Sequence, residues 1–336
     1  MNRSLVIAPQ WIGDAVMTEP WLRMLHARGE TITVAALPWV APIYQGMPSV
    51  AEVLAWPLTH GRLQWGLRRS LARQCQGQFD RAYVAPNSLK SALIPWLAGI
   101  PERIGYHGES RYGLLTHRLP NPSRTQRPPM VEFYVAMAMD GNTAQGAARQ
   151  PRLQRPTDSV RRSLQAWALE PGAYIVLAAG AEYGPAKQWP ASNAARLCRQ
   201  LDTPVVLLGT DKDQAFCQQI QTQAASARLL NLAGKTTLEQ AMDLVSAARA
   251  LVSNDSGLMH VAAALGVPQV ALFGSSSPRH TPPLSDKAQV IWLADDPEYT
   301  PALDCAPCFD RQCRWGHTRC LSDITPERVV KSLSLL

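Results

Sequence analysis

Short apolar runs alternate with amphipathic stretches along almost the whole chain. In the first half, the apolar runs predict strands at Ser4–Ala8, Thr31–Leu37, Ala51–Ala55 and Arg81–Ala85. Helical spacing between them predicts helices at Ala15–Ala27, Val40–Gln45, Leu63–Cys75 and Ser88–Ala98. Because strand and helix keep alternating, the pattern predicts an α/β fold with a parallel, doubly wound sheet.

A second α/β series follows a stretch rich in Gly, Pro, Gln and Ala at Gly141–Pro156, which we interpret as an interdomain linker. A chain of 336 residues suits two domains, each able to bury its own core. We therefore predict a first domain at residues 1–150, a second at 151–324 and a closing helix at 325–336. Within the first domain, Arg103–His117 is polar, Gly-rich and aromatic, which predicts a surface loop that faces the cleft.

The stretch Leu251–Ser277 combines a buried strand, a turn with strong helix-capping residues, a helix that stops at Gly266, and a second apolar strand. The turn brings bare backbone N–H groups and two side-chain oxygens, from Asp255 and Ser256, to the positive end of the helix. Such an end can hold a phosphate group. The alternative is that one of these two residues only caps a packing helix.

Two further loops leave the carboxyl ends of predicted strands, where α/β sheets bind ligands. The loop at 179–190 is Gly-rich and carries Lys187, in a position that suits a phosphate contact, although a lysine on a loop is most often simply solvated. The loop at 9–14 ends in Gly13 and Asp14. Asp14 is either a reacting carboxylate or an acid in the first turn of a helix, where it stabilises the helix dipole.

Two familiar nucleotide motifs are absent from the sequence. Gly234-Lys235-Thr236 resembles part of a P-loop, but that motif requires a glycine five residues earlier, where the chain has Leu229. No G-x-G-x-x-G follows the first strand, which argues against a nicotinamide or flavin dehydrogenase.

The net charge of +7 is concentrated in the first half. Residues 1–150 hold 15 Lys and Arg against 9 Asp and Glu, whereas residues 151–336 hold 18 against 17. Most of the excess lies between Arg62 and Arg127, which indicates either an anionic partner, such as a phosphorylated membrane surface, or a generic solvated basic face. The basic residues lack interleaved aromatic repeats, so we do not expect nucleic acid binding.

Hydrophobic residues make up 46% and charged residues 18% of the chain, which is typical of a globular protein. The most apolar window, Gly257–Phe273, is interrupted by His260, Gly266, Pro268 and Gln269, so we expect no membrane span. Leu5–Pro9 is too short for a secretory signal, and we therefore expect a cytoplasmic protein.

Four of the seven cysteines, Cys305, Cys308, Cys313 and Cys320, are close together near the C-terminus, with His317 among them. Their spacing allows a structural zinc site, although the loops are shorter than in common zinc ribbons. A disulfide is disfavoured in the cytoplasm, and free thiols are the default interpretation.

The Gly13-Asp14 loop, Gly180–Pro190, the run Asn254–His260 and the run Phe273–Pro278 together resemble the ADP-heptose:lipopolysaccharide heptosyltransferases over nearly the whole chain. Ala178–Pro190 and Pro86–Leu93 look most like the heptosyltransferase II branch of this family. The sequence departs from the family in having Ala178-Ala179 before Gly180, where a proline is frequent, and in its cysteine-rich tail.

The resemblance implies a GT-B architecture with two Rossmann-like domains facing across a cleft, the acceptor on the first, ADP-heptose on the second, and the last helix returning to the first. It implies Asp14 as the catalytic base and Lys187 as the group that neutralises the diphosphate. The implied acceptor residues are Asn87, Lys90 and Arg111. The implied donor-binding residues are Gly13, Gly180, Glu182, Lys187, Thr210, Thr236, Asn254, Asp255, Ser256, Gly257, Leu258, Met259 and His260.

The implied reaction is the inverting, metal-independent transfer of L-glycero-D-manno-heptose to the first heptose of heptosyl-Kdo2-lipid A, without a cofactor. Departure of ADP builds negative charge on the diphosphate, which requires cationic or dipolar groups, and the acceptor hydroxyl requires a base. The alternatives are transfer to a neighbouring core position, as by heptosyltransferase I or III, and a non-catalytic protein that binds nucleotide sugar or anionic glycolipid. Peripheral contact with the inner membrane is a further expectation.

Overall fold

The computed structural model describes residues 2–59, 61–123, 128–139 and 150–336, and the chain divides into two compact units, Met1–Gln154 and Arg155–Leu336. The division falls four residues after the predicted boundary. Most of the linker predicted at Gly141–Pro156 lies outside the described residues, as do Arg124 and Arg127 of the basic run.

The first unit contains a six-stranded, all-parallel sheet in the order β3-β2-β1-β4-β5-β6. Its strands are β1 Arg3–Ile7, β2 Thr31–Ala36, β3 Glu52–Ala55, β4 Arg81–Val84, β5 Glu102–Tyr106 and β6 His117–Leu119. The central strands are apolar on both faces because helices cover both sides of the sheet, as is usual for parallel sheets.

The helices that the amphipathic pattern predicted in the first unit are present, but two of them are divided. The predicted helix Ser88–Ala98 is a 3₁₀ turn at Leu89–Ala92 followed by an α-helix at Leu93–Leu97. The predicted helix Ala15–Ala27 is two helices, because Pro20 has no N–H to donate to the carbonyl of Val16. Helical bounds are α1 Ile12–Met17, α2 Glu19–Ala27, α3 Ala41–Gln45, α4 Trp65–Cys75, α5 Leu93–Leu97 and α6 Met130–Val135, with 3₁₀ turns at Leu89–Ala92 and Ala136–Ala138.

The prediction of a surface loop at Arg103–His117 was wrong in part. Residues 102–106 form β5, which pairs with β4, and His117 begins the edge strand β6. Gly105 interrupts the apolar pattern by which a strand is recognised. The packing of β5 requires a glycine at this position, because an added Cβ would lie 3.0 Å from the carbonyl oxygen of Val84.

The second unit repeats the same topology. Its parallel sheet has the order β12-β11-β10-β7-β8-β9. The strands are β7 Ile175–Ala178, β8 Val205–Leu207, β9 Leu229–Asn231, β10 Ala250–Asn254, β11 Gln269–Phe273 and β12 Ala288–Trp292. Strand β9 could not be predicted from the sequence, because three residues at a sheet edge are too short to show a period.

Helices again cover this sheet, and its core is mainly aliphatic. It also contains buried aromatic side chains and thiols, namely Tyr174, Trp189, Phe273, Cys198, Cys217 and Cys320. Helical bounds are α7 Thr157–Ala166, α8 Ala191–Gln200, α9 Gln214–Ala224, α10 Leu238–Ser246, α11 Gly257–Ala264, α12 Arg319–Ser322 and α13 Pro326–Leu333, with 3₁₀ turns at Pro185–Lys187, Asp211–Asp213 and Leu293–Asp295. The closing helix α13 packs on α8. The expected return of residues 325–336 to the first domain stays a prediction.

Strand order reverses once in each sheet, between β1 and β4 in the first and between β7 and β10 in the second. At such a point the loops that follow the two strands diverge and leave a crevice at the carboxyl edge, where α/β sheets bind ligands. Within the described ranges, no helix is both long and apolar enough to cross a membrane.

Candidate functional site

The crevice of the second sheet is bounded by the loop after β7 and the turn after β10, and Asn254 joins the two. The Asn254 side-chain amide donates to the carbonyl of Ala179 at 2.9 Å and accepts from the backbone N–H of Trp189 at 3.3 Å. Asn254 is buried, so these bonds form away from water and fix the shape of the 179–189 loop. The predicted donor residue Asn254 is therefore a positioning residue for the 179–189 loop, which carries Lys187 and is called the lysine loop below.

Lys187 and Asp255 form an ion pair across this crevice. The Lys187 Nζ lies 2.5 Å from Asp255 Oδ2, and the side chains are 18% and 6% exposed, respectively. An ammonium has three donors, and the bond to Asp255 uses one of them. Lys187 is thus held in place by a carboxylate while it keeps two N–H groups for a ligand.

His260 lies under this pair, one helical turn into α11, and is buried. Burial lowers the pKa of His260 to about 4; Asp255 opposes this shift and Lys187 adds to it. The imidazole is therefore neutral at pH 7, which suits a hydrogen-bonding partner rather than a cation for phosphate.

The amino end of α11 is not closed by the side chain that precedes it. Ser256 occupies the N-cap position, but its hydroxyl makes no capping hydrogen bond and instead lies 2.8 Å from the hydroxyl of Ser253. The simple capping alternative is not what the structure shows for Ser256. The backbone N–H groups of Gly257, Leu258 and Met259 form the first turn, the site type that accepts anions.

The other predicted donor residues occupy the neighbouring strand ends. Thr210 follows β8, and its hydroxyl and backbone N–H both donate to Asp213 Oδ2 at 2.8 Å. Asp213 in turn explains Gly180, because a Cβ there would lie 2.5 Å from this carboxylate. Glu182 forms an exposed ion pair with Lys212, and Thr236 lies partly exposed after β9.

Two residues that sequence analysis missed also belong to this site. The Tyr183 ring has the Lys187 Nζ 5.0 Å from its centroid and the Arg311 guanidinium 5.1 Å from it. Its hydroxyl donates to the carbonyl of Phe309 at 2.8 Å, and the Ala186 N–H donates to the carbonyl of Arg311. The cysteine-rich tail therefore packs against the lysine loop. The two segments are more than a hundred residues apart in the sequence, so no local pattern could predict this contact.

The four tail cysteines line one cavity, together with Ala186 and Ser275. Burial opposes ionisation of Cys313, but backbone N–H groups at residues 315–318 donate to its sulfur and hold its pKa below the usual value. All four are free thiols, and the described part of the chain contains no group of three or more His, Cys, Asp or Glu side chains arranged to hold a metal ion. A structural zinc site at these four cysteines stays a hypothesis.

In the first unit, Gly13 and Asp14 lie in the first turn of α1, directly after β1 and at the crevice of that sheet. The Tyr134 hydroxyl donates to the Asp14 carboxylate, and burial raises the pKa of Tyr134 well above its usual value, so it stays a donor. The buried Tyr44 lies close enough for Asp14 to raise its pKa as well, a smaller effect than that of burial. The Tyr134 hydroxyl therefore orients the carboxylate, and neither tyrosine was predicted.

The predicted acceptor residues have different environments. Lys90 lines a cavity at the carboxyl edge of the first sheet. Arg111 is 2% exposed, and its guanidinium donates to the carbonyls of Pro86 and Tyr106 and to the Asn87 side-chain oxygen. Arg111 therefore fixes the loop after β4 through hydrogen bonds to Pro86 and Asn87, and it positions the Asn87 side chain.

Comparison with known proteins agrees with this geometry. A family model described as glycosyltransferase family 9 (heptosyltransferase) matches residues 67–318. The chain is 42% identical to lipopolysaccharide heptosyltransferase 2 of Escherichia coli K12, over 99% of this chain and 97% of the relative. It is 43% identical to the protein of the same name from Salmonella typhimurium, with the same coverage of both chains.

Among solved structures, the E. coli ADP-heptose lipopolysaccharide heptosyltransferase II superposes with a TM-score of 0.83 at 40% identity, covering 99% of this chain and 98% of that one.

Proposed function

The chain belongs to glycosyltransferase family 9, the heptosyltransferases, and from this premise we propose how its residues carry out the transfer. Its two doubly wound sheets have the predicted GT-B fold class. It is a heptosyltransferase of lipopolysaccharide inner-core synthesis. We propose that the donor is ADP-L-glycero-β-D-manno-heptose and that the acceptor is the first heptose of heptosyl-Kdo2-lipid A.

The observation that carries the donor assignment is the ion pair of Lys187 beside the open amino end of α11. The Lys187 ammonium and the amino end of α11 are both positive, and both lie at the strand-order reversal of the second sheet. A diphosphate is the common nucleotide-sugar group that requires two such partners. Lys187 would bind it with the N–H groups that Asp255 leaves unused, while the helix turn at 257–259 would donate backbone N–H groups.

In the proposed reaction, the acceptor hydroxyl oxygen attacks the anomeric carbon of the heptose. The bond between that carbon and the diphosphate oxygen breaks, and its electron pair leaves with ADP. The hydroxyl proton passes to Asp14, whose carboxylate Tyr134 orients. Negative charge grows on the diphosphate during this step, so Lys187 and the α11 turn stabilise the transition state more than the bound donor.

Asn87 and Lys90 support acceptor binding at the carboxyl edge of the first sheet. Lys90 lines the strand-end cavity, and its ammonium suits a carboxylate or phosphate of an anionic core saccharide. Arg111 would act through Asn87, because its own guanidinium is buried. We propose that the reaction takes place at the cytoplasmic face of the inner membrane, where a lipid-anchored acceptor of this kind is available.

The test is transfer from ADP-heptose to Kdo2-lipid A and to heptosyl-Kdo2-lipid A, assayed side by side with the full chain. We expect product only from heptosyl-Kdo2-lipid A. Product from Kdo2-lipid A instead would assign the preceding step, and a product bearing a further heptose would assign a later one. Tight donor binding without turnover on any acceptor would indicate a non-catalytic binding protein.

A further inference from the structure

Four large apolar side chains of the first unit are exposed around one pair of helices. Leu63 and Trp65, at the start of α4, are 52% and 42% exposed. Leu89, in the 3₁₀ turn before α5, is 38% exposed, and Trp96 of α5 is 44% exposed. Single exposed apolar residues are ordinary, but several on neighbouring segments mark an interaction surface.

These segments are neighbours because α4 and α5 pack together over the same face of the first sheet. Arg68 also joins them, since its guanidinium donates to the carbonyl of Leu63 at 2.6 Å and to that of Lys90 at 2.7 Å. Arg68 is buried and carries no carboxylate partner among the described contacts. A buried arginine thus fixes the two loops that present Leu63, Trp65 and Leu89.

The same surface is basic. Trp65, Arg69 and Arg73 follow one another at helical i, i+4, i+8 spacing, and all three are exposed. The sequence contains no Asp or Glu between Glu52 and Asp80, and neither arginine takes part in an ion pair with the described residues. At its rim, Glu109 accepts a hydrogen bond from the Leu89 N–H, so the positive potential is centred on α4.

We propose that Leu63, Trp65, Arg69, Arg73, Leu89 and Trp96 form a docking face that binds the surface of an anionic phospholipid bilayer. Tryptophan side chains prefer the boundary between headgroups and acyl chains, and arginines are attracted to anionic headgroups. This combination of exposed indoles and unpaired cations fits a bilayer better than an acidic protein, which would not require the two indoles. The inference rests on the proposed function, because a lipid-anchored acceptor brings the enzyme to such a surface.

The experiment is co-sedimentation of the full chain with vesicles of phosphatidylcholine, alone or mixed with phosphatidylglycerol. We expect binding to the mixed vesicles, falling with added salt. Each arginine near an anionic surface contributes about a fivefold gain in partitioning, so Arg69→Ala/Arg73→Ala should bind about 25-fold more weakly. Leu63→Ser/Trp65→Ser should bind about tenfold more weakly through loss of apolar insertion.

The matched control is Arg161→Ala/Arg162→Ala, which removes the same charge from the exposed face of α7 in the second unit. It should bind vesicles like the unaltered chain. Equal binding to neutral and mixed vesicles, or an equal loss in the control, would overturn the docking face. Binding to an acidic protein without binding to the mixed vesicles would also overturn the proposal of a bilayer-binding face.

Transfer to an acceptor without its acyl chains separates this inference from the proposed function. The docking-face variants should transfer heptose to that acceptor at the unaltered rate, but to vesicle-embedded acceptor more slowly. Loss of transfer to both acceptors would show a damaged enzyme and contradict a surface role. Absence of transfer by the unaltered chain would count against the proposed function and leave the vesicle result to decide the docking face alone.

Discussion

The ion pair between Lys187 and Asp255 allows the catalytic and structural contributions of one lysine to be measured separately. Lys187→Ala removes the ammonium that is proposed to bind the diphosphate, and loss of one charged donor to a developing anion should lower kcat by about 10²–10³, or about 3–4 kcal/mol. It also leaves the Asp255 carboxylate, which is 6% exposed, without its cation. Breaking a buried pair costs about 3–5 kcal/mol, and we expect the lower end because Lys187 is 18% exposed.

The double variant Lys187→Ala/Asp255→Asn separates the two effects. An amide at position 255 carries no charge, so the free energy of unfolding of the second unit should recover to within about 1.5 kcal/mol of that of the unaltered protein. This is the usual contribution of one hydrogen bond. Heptosyl transfer should stay as low as in Lys187→Ala, because the positive charge is still missing. Lys287→Ala, which removes an exposed lysine from the same unit, is the control and should change neither quantity.

The measurements are single-turnover transfer at saturating ADP-heptose and denaturant unfolding followed by tryptophan fluorescence, since Trp189 is buried beside the site. Recovery of transfer in the double variant would refute the role assigned to Lys187. So would a Lys187→Ala enzyme that keeps more than about a tenth of the unaltered kcat. Unchanged stability of the single variant would refute the burial argument for Asp255.

Three further predictions follow from single side chains. Asp14→Asn should lower kcat by about 10²–10⁴ while ADP-heptose binding, measured by calorimetry, stays unchanged; an enzyme near the unaltered rate would exclude Asp14 as the base. Burial holds the pKa of His260 at about 4, below its ordinary 6.5, so the unfolded chain takes up a proton before the folded one does. The free energy of unfolding of the second unit should therefore fall by about 3 kcal/mol as the pH falls from 6.5 to 4. Thermal unfolding of His260→Gln should lack that part of the pH dependence, and an equal slope would contradict it. Gly180→Ala should destabilise the second unit by about 1–3 kcal/mol, because its Cβ would collide with the fixed Asp213 carboxylate, whereas Gly66→Ala, with open space around it, should be neutral or stabilising in the same melting experiment.

The strand-end positions were accessible from the sequence because they depend on local patterns. An apolar run followed by small and polar residues marks the carboxyl end of a buried strand, and parallel strands bring such ends to one edge. Asp14, Lys187 and Asp255 were identified in this way, and the structure brings Lys187 and Asp255 into contact. The strands predicted at Thr31–Leu37, Ala51–Ala55 and Arg81–Ala85 agree with the structure to within one residue at each end.

Contacts between distant segments could not be predicted. Tyr134 reaches Asp14, and Arg311 reaches Tyr183, only because the fold brings them together. Charge was also a poor guide to exposure: Arg68 and Arg111 add to the basic excess of the first half, yet both are buried and bond to backbone carbonyls. A sequence shows how many cations a segment has, whereas burial decides which of them meet solvent.

Both sheets have the same strand order, and each belongs to a compact unit of its own. In the proposed function, one unit recognises the donor and the other recognises the acceptor. In such an enzyme, substitutions in the loops of the acceptor module can change the acceptor while the donor site of the other module stays the same. Family members that act on other saccharides are therefore expected to diverge mainly at the loops of residues 2–123. A chimera joined near Gln154 should take its acceptor preference from its first module.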